Sequence, residues 1–221
     1  MNDYLMRKAI KSDIPFLADV VIAAEKGITD KLNYSTLFNL SEKKVKEFII
    51  SMFEEEVDGC EFSLSSYLVA EYNGAPVAAF SSWIECFEGE LPSKILKSNL
   101  ISYTFGKESI EFLKTKSHII EDIYIEREPL TLQFEYLFVS DSHRGKGLPD
   151  EFINEHEKNA RLIYPALEKA QGQLFKNNER ILKLFKKHGY KIVESYKSRN
   201  NEILNYLPFN EKYKIEKTFK K

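Results

Sequence analysis

Val139-Ser140-Asp141-Ser142-His143-Arg144-Gly145-Lys146-Gly147-Leu148-Pro149 is the stretch on which the reading of this chain turns. A strand-like run over 131–139 leads into it, and a helix-like run over 149–163 leaves it. Gly145 and Gly147 have no Cβ, so the backbone there can turn tightly and lie close to a ligand. A helix starting at Leu148 or Pro149 aims its free N–H groups and positive dipole end back at the loop. Strand, glycine-bearing loop and helix N-terminus together form a site for phosphate, and the loop is expected to hold the pyrophosphate of a cofactor.

Working outward, the strand before the loop alternates strictly. Leu132, Phe134 and Tyr136 face one way; Gln133, Glu135, Leu137 and Val139 face the other. After the loop helix, Pro165 is the stop. Residues 169–175 read as a strand with Gly172 as a candidate bulge. Asn177-Asn178 opens a helix with Ile181, Leu184, Phe185 and His188 on its apolar face, and Gly189 ends it. Residues 190–196 and 213–219 are two further strands.

Towards the N-terminus, 4–10 reads as a first strand. Ser12 or Asp13 caps the next helix, with Pro15 in its first turn. That helix carries Ile14, Leu17, Ala18, Val21 and Ile22 at helical spacing and ends at Gly27. Residues 28–40 have no clean periodicity. Ser41-Glu42 starts a second helix with Val45, Phe48, Ile49, Met52 and Phe53 on one face, closed by Asp58-Gly59. Strands over 66–72 and 76–84 flank Asn73-Gly74, a strong hairpin signal. Residues 85–130 read as an inserted, mostly helical segment and not as a linker. The order is β-α-α-β-β-(insert)-β-α-β-α-β-β in a single domain spanning 1–221.

Composition sets the outer bounds. The chain has 221 residues, a net charge of −2, 43% hydrophobic and 30% charged residues, ordinary for a soluble globular protein with a sizeable core. Nucleic acid is not the expected partner. The basic tail at 212–221 alternates apolar and charged residues, so it reads as a strand with a solvated face. Cys60 and Cys86 lack metal-ligand spacing and are expected to be reduced structural thiols. No signal peptide and no membrane-spanning run is visible, so a cytoplasmic location is expected, with no membrane partner.

Two motifs then resemble those of the GNAT superfamily of acyl-CoA-dependent N-acyltransferases. Arg144-x-x-Gly147-x-Pro149, after a strand ending Leu137-Phe138-Val139, looks like the family's acyl-CoA loop, Gln/Arg-x-x-Gly-x-Gly/Ala. Asn178-x-x-Ile181-x-x-Leu184-Phe185-x-x-x-Gly189-Tyr190 resembles its later helix, Asn-x-x-Ala-x-x-Leu-Tyr-x-x-x-Gly-Phe. Met6-Arg7-Lys8-Ala9 followed by Asp13-Ile14 looks like the family's opening strand and helix. The likeness covers 1–24, 66–84 and 131–219. It implies a mixed α/β (α+β) fold: a central, mostly antiparallel twisted sheet of about seven strands, helices on both faces, and the helical insertion before the fourth strand.

The resemblance also implies an acetyltransferase that uses acetyl-CoA as co-substrate and no metal. The acceptor would be a small molecule with a primary amine, such as an amino sugar, amino acid or polyamine, reacting by direct attack in a ternary complex. The backbone from Arg144 through Gly145, Lys146 and Gly147 to Leu148 would cradle pyrophosphate, and the Arg144 and Lys146 side chains either touch phosphate or are solvated. The edge at Phe138 and Val139 would pair with the pantetheine arm. Asn178 either bonds that arm or caps its helix, and Phe185 lines the thioester end. A backbone N–H between Leu137 and Val139 would stabilise the oxyanion.

Glu135 is the candidate general base, against a plain strand carboxylate; Glu85, Glu88 and Glu25 stand in reserve. Phe185 stands where the family often has a proton-donating Tyr, and Pro149 removes one N–H from the cradle. Those two departures leave a second reading, an acyl-CoA-binding module without catalysis, and a third, an O-acyltransferase. Trp83 reads as a core-packing residue and Tyr34 as a surface-packing one, each before an acceptor contact. His156 reads as a packed histidine, and His143 as loop filler. His188 complements a helix C-terminus, and Cys86 is a remote candidate for an acyl-cysteine. The segments 28–58 and 85–129 are expected to wall the acceptor site. The C-terminal strands are where a homodimer would form.

Overall fold

The computed structural model describes residues 4–220. Asn73 and Gly74 both take positive φ, 50° and 81°, as a two-residue type I′ hairpin requires. They join β2 (Tyr67–Tyr72) to β3 (Ala75–Ile84). β1 (Leu5–Lys8) pairs antiparallel with β2, and β3 with β4 (Leu132–Val139). β5 (Lys169–Phe175) runs parallel to β4. β7 (Glu211–Thr218) then pairs antiparallel with both β5 and β6 (Lys191–Lys197). One seven-stranded sheet results, in the order β1-β2-β3-β4-β5-β7-β6, the mostly antiparallel arrangement expected.

The helices cover both faces. On one lie α1 (Ile14–Lys26), α3 (Glu42–Glu54) and a short α2 (Asn33–Phe38) in the stretch that showed no periodicity. Leu17, Val21, Val45, Ile49, Phe53 and Phe62 are buried against that face. α7 (Leu148–Ile163) and α8 (Glu179–Lys187) cover the other, where Leu148, Phe152, Phe134, Phe185 and Ile215 pack together. The insertion is helical, as expected: α4 (Ser93–Thr104), α5 (Lys107–Lys114) and α6 (Ser117–Ile120). Leu100, Phe105 and Ile119 tie it to the α1 core.

Ser41 caps α3 by accepting from the Lys44 N–H at 3.3 Å. Asp13 stands at the start of α1 without capping it. Its carboxylate turns back to accept from the Ile10 N–H (2.9 Å) and to pair with Arg7 (2.6 Å), because a charged partner outweighs a neutral amide. α3 closes earlier than expected, with Glu55 as its C-cap.

Two strand expectations are corrected. The alternation of β4 does not run through. Ala79 pairs with Phe138 but Ser81 pairs with Glu135, so Tyr136 and Leu137 together oppose Phe80. Tyr136 takes φ 52° at this bulge. Tyr136 and Phe138 therefore join the α1 core, while Leu137 and Val139 turn to the α7 side. Gly172 is not a bulge, since β5 and β7 pair without interruption from Lys169 to Phe175. It is instead a close-packed strand glycine, its missing Cβ 3.5 Å from Ile215 and 3.8 Å from Phe134.

Candidate active site

β4 and β5 pair at only three positions, Leu132–Ala170, Gln133–Gln171 and Phe134–Gly172. The Gln133 amide reinforces the junction by donating to Gln171 at 3.1 Å. Beyond Gly172 the strands part. The gap between residues 135–139 and 173–175 opens into a cleft of about 1370 Å³ that runs through the sheet. On the α7–α8 side it is lined by Phe80, Leu174, Ile181, Leu184 and Phe185, and on the α1 side by Glu25, Tyr34, Lys97, Ile101 and Arg127.

At one end lies the glycine loop. Gly145 and Gly147 have φ of 77° and 82°, with open space where a Cβ would stand, so backbone conformation is what demands glycine there. The N–H groups of Gly145, Lys146, Gly147 and Leu148 have no acceptor among the described residues. Those of Asp150 and Glu151 are spent on the Gly147 carbonyl, at 3.0 and 3.2 Å. Four free donors at a helix N-terminus fit a pyrophosphate. Pro149 adds none.

Arg144 braces this loop: its Nε donates to the Val139 carbonyl (3.2 Å) and its guanidinium pairs with Asp141 (2.7 Å). Lys146 is exposed and does not line the cleft. The Leu148 side chain is fully buried, leaving only its N–H towards the loop. Ser140 donates to the Val77 carbonyl at 2.9 Å, so the alternation of an antiparallel ladder turns the N–H and C=O of Val139 away from β3. Asn178 caps its helix by accepting from the Ile181 N–H (3.4 Å), and it also lines the cleft. Phe185 packs edge-on against Phe134 and Tyr190, with ring centroids 5.8 and 4.9 Å away, and offers no proton. Asp150 holds α8 to the start of α7 through Lys187 (2.6 Å) and His188 (2.8 Å).

At the other end is a chamber with a charged floor. Glu135 Oε2 accepts from Arg127 at 3.0 Å. Arg127 also faces Glu61 at 3.6 Å, and Lys97 pairs with Glu61 at 2.9 Å. Burial works to raise Glu61, but Lys97 and Arg127 outweigh it and hold the carboxyl at about 2. For Glu135 burial wins over Arg127, and its pKa lies above the ordinary carboxylate value. Above this floor Glu25 accepts from Tyr136 Oη at 2.9 Å and from Asn33. Tyr136 Oη is 3.3 Å from Tyr34 Oη. Burial keeps both phenols protonated, Tyr34 pushed up to about 12.

The structure sorts the remaining candidates. Glu25 lines the cleft; Glu85 and Glu88 do not. Glu85 is buried and accepts from Trp83 Nε1 and the Ser93 N–H, each at 2.8 Å. Trp83 lies under the Arg127 guanidinium. Tyr34 is a buried wall of the chamber and no surface packer. His143 bonds Tyr4 Oη at 2.9 Å, away from the cleft. His156 Nε2 donates to the Phe80 carbonyl (3.0 Å), which leaves Nδ1 to accept from Ser82 Oγ (2.6 Å). Cys60 and Cys86 are both free thiols and neither lines the cleft. Among the described residues no group of three or more His, Cys, Asp or Glu side chains is placed to hold a metal. No helix among them is long and apolar enough to cross a membrane.

Arg127, Lys97, Glu61 and Lys212 escaped the sequence reading. The first two lie in the segment without a motif. Lys212 sits on β7 among the alternating lysines that read as a solvated face. That reading is corrected. Lys214 is buried and bridges Glu128 (2.7 Å) and Glu194 (3.3 Å), while Lys212 lines the cleft, because the end of the insertion folds over this face.

Solved structures superpose on this architecture over nearly its whole length. An N-acetyltransferase from Staphylococcus aureus Mu50 superposes with a TM-score of 0.62 at 15% identity, over 96% of this chain and 100% of that one. An acetyltransferase of the GNAT family from Streptococcus pneumoniae superposes with a TM-score of 0.52 at 13% identity, over 98% and 99%. The chain has the GNAT fold. A third structure with that fold, a putative acetyltransferase from Salmonella typhimurium with its cofactor acetyl-CoA, has a TM-score of 0.54 at 12% identity, over 100% of this chain and 96% of that one. No family model and no curated protein matches the sequence. The GNAT fold is thus legible in the architecture and in the two short motifs, not in overall sequence similarity.

Proposed function

We propose that the protein transfers an acetyl group from acetyl-CoA to the primary amine of a small molecule, by direct attack in a ternary complex. One observation carries this reading: a single cleft joins four unspent N–H donors at a helix N-terminus to a chamber with two carboxylates, past an unpaired strand edge. Acetyl-CoA bound there supplies an activated thioester. The loop N–H groups from Gly145 to Leu148 hold its pyrophosphate, and the Val139 edge offers to an extended amide arm its N–H and the second lone pair of the carbonyl that Arg144 braces.

Glu25 and Glu135 draw the acceptor's ammonium into the chamber, and Glu135 takes its proton. A carboxylate raised by burial is the better base for that step. The amine nitrogen forms the amide bond as the thioester C–S bond breaks. The second N–H proton, which the nitrogen sheds as the amide forms, passes through water to the departing thiolate, since Phe185 cannot donate one. The segments 28–58 and 85–129 supply the chamber wall through Tyr34, Leu37, Ile101 and Leu113, and a closed wall suits a small acceptor better than a protein chain.

Calorimetry with acetyl-CoA, followed by release of free thiol in the presence of a panel of amines, tests the reading. Binding together with amine-dependent thiol release supports it. Tight binding without thiol release from any amine points to a binding module, release with hydroxyl acceptors alone to O-acyl transfer, and no binding overturns all three.

A further inference from the structure

Two charges in the chamber have no ionic partner. Glu25 accepts only from the neutral donors Tyr136 and Asn33. Lys212 Nζ makes no hydrogen bond or ion pair among the described residues; it lies 4.9 Å over the Phe175 ring. Of the other cations lining the cleft, Arg180 on α8 is likewise without an ion pair among the described residues, and those around Lys212 are matched. Lys97 pairs with Glu61, Arg127 with Glu135, Lys26 with Glu42, Lys94 with Glu126 and Lys114 with Glu111.

Burial lowers the pKa of Lys212, and Glu25 and Glu135 pull it the other way. The ammonium therefore lies within their field yet out of contact with either. Lys212 is half-buried and its charge is unmatched, so an anion brought in by a ligand gains a charge-assisted hydrogen bond there. Part of the remaining wall is apolar, Ile110, Leu113, Ile120 and Ile123, beside the polar side chains of Ser98, Ser102 and Tyr124.

We propose that the acceptor is a zwitterion with an apolar body, an α-amino acid carrying an aliphatic or aromatic side chain, with its ammonium at Glu25 and its carboxylate on Lys212. This rests on the acyl-transfer reading above, which leaves the acceptor open. A polyamine would bring a second cation against Lys212, a like-charge clash. An amino sugar would bring no anion to Lys212 and would lay several of its hydroxyls against isoleucines and a leucine. An aliphatic or aromatic amino acid meets neither penalty.

The test is calorimetry on the protein saturated with CoA, using L-leucine, L-phenylalanine, 3-methylbutylamine, spermidine and glucosamine. 3-Methylbutylamine is leucine without its carboxylate. L-Leucine is expected to bind roughly tenfold to hundredfold more tightly than 3-methylbutylamine, the range for a hydrogen bond to a charged group. Lys212→Met removes that advantage and leaves the affinities for CoA and 3-methylbutylamine unchanged. Lys212→Arg restores most of it.

Equal binding of leucine and 3-methylbutylamine, indifference to Lys212→Met, or preference for spermidine or glucosamine overturns the proposal. Thiol release from acetyl-CoA, read on the same samples, separates the two levels. Lys212-dependent amino-acid binding without thiol release overturns acyl transfer alone. Thiol release that favours amines lacking a carboxylate overturns the amino-acid assignment alone.

Discussion

Glu135 and Arg127 are joined at 3.0 Å across the floor of the chamber, and the carboxylate is nonetheless held above its ordinary pKa by burial. The guanidinium is shared with Glu61, so it does not spend its whole charge on Glu135. The result is a carboxylate kept in place by a cation and still basic enough to accept a proton.

Glu135→Gln should therefore lower kcat by roughly a hundredfold or more while leaving acetyl-CoA affinity nearly intact. Activity of the native protein should fall as pH drops through the raised Glu135 pKa, because the proton-accepting form is lost there. The deficit of the variant should shrink at high pH, where the amine arrives unprotonated. Rate profiles against pH check this, and unchanged turnover would remove Glu135 from the reaction.

Gly147→Ala should weaken acetyl-CoA binding. The added Cβ meets nothing, but φ of 82° costs an L-residue roughly 1–2 kcal/mol. The loop relaxes away from that conformation and its free N–H groups lose their common aim. Calorimetry should show a clear loss of affinity with the melting temperature little changed; equal affinity would mean that the loop does not hold the phosphates.

Pro149→Ala gives the opposite sign. It restores a backbone N–H next to the four free donors, worth about 1 kcal/mol as a net hydrogen bond. Acetyl-CoA should bind roughly fivefold more tightly, with a small loss of thermal stability from the more flexible unfolded chain. Unchanged or weaker binding would show that the N–H at 149 points away from the ligand.

His156 makes the fold itself pH-dependent. Burial lowers its pKa to about 4 from 6.5, so the unfolded chain binds the extra proton first. Stability is then complete above the unfolded value and is lost as pH falls from 6.5 towards 4, by on the order of 3 kcal/mol from this residue alone. Urea unfolding at pH 7 and pH 5 measures it. His156→Leu should be less stable at pH 7, having lost its bonds to Phe80 and Ser82, but should lose most of that pH slope. An unaltered slope would place the effect elsewhere.

Much of this was legible in the sequence, and for physical reasons. Asn73-Gly74, Ser41 and Gly147 are local devices whose backbone requirements are written in their side chains. The two motifs around Gly147 and Asn178 mark places where the backbone takes positive φ or a helix must start. What escaped was non-local. Nothing near Tyr136 marks the bulge, because it is forced by register against β3. Nothing near Arg127 or Lys97 marks their pairing with Glu61, because the insertion and the loop before β2 meet only in the folded chain. Lys212 looked like one more strand lysine, since the covering segment is far away in sequence.

The parting of β4 and β5 has a consequence for traffic. The cleft passes through the sheet and has exposed rims on both sides, Arg144 and Gly145 at one, Ile28 and Tyr124 at the other. On the proposed reading, donor and acceptor have separate doors and meet only at the strand edge. Neither needs to wait for the other to enter, and spent CoA can leave while the acetylated product still fills its own side. The order of arrival and departure is then left to relative affinities and concentrations, with no steric queue built into the protein.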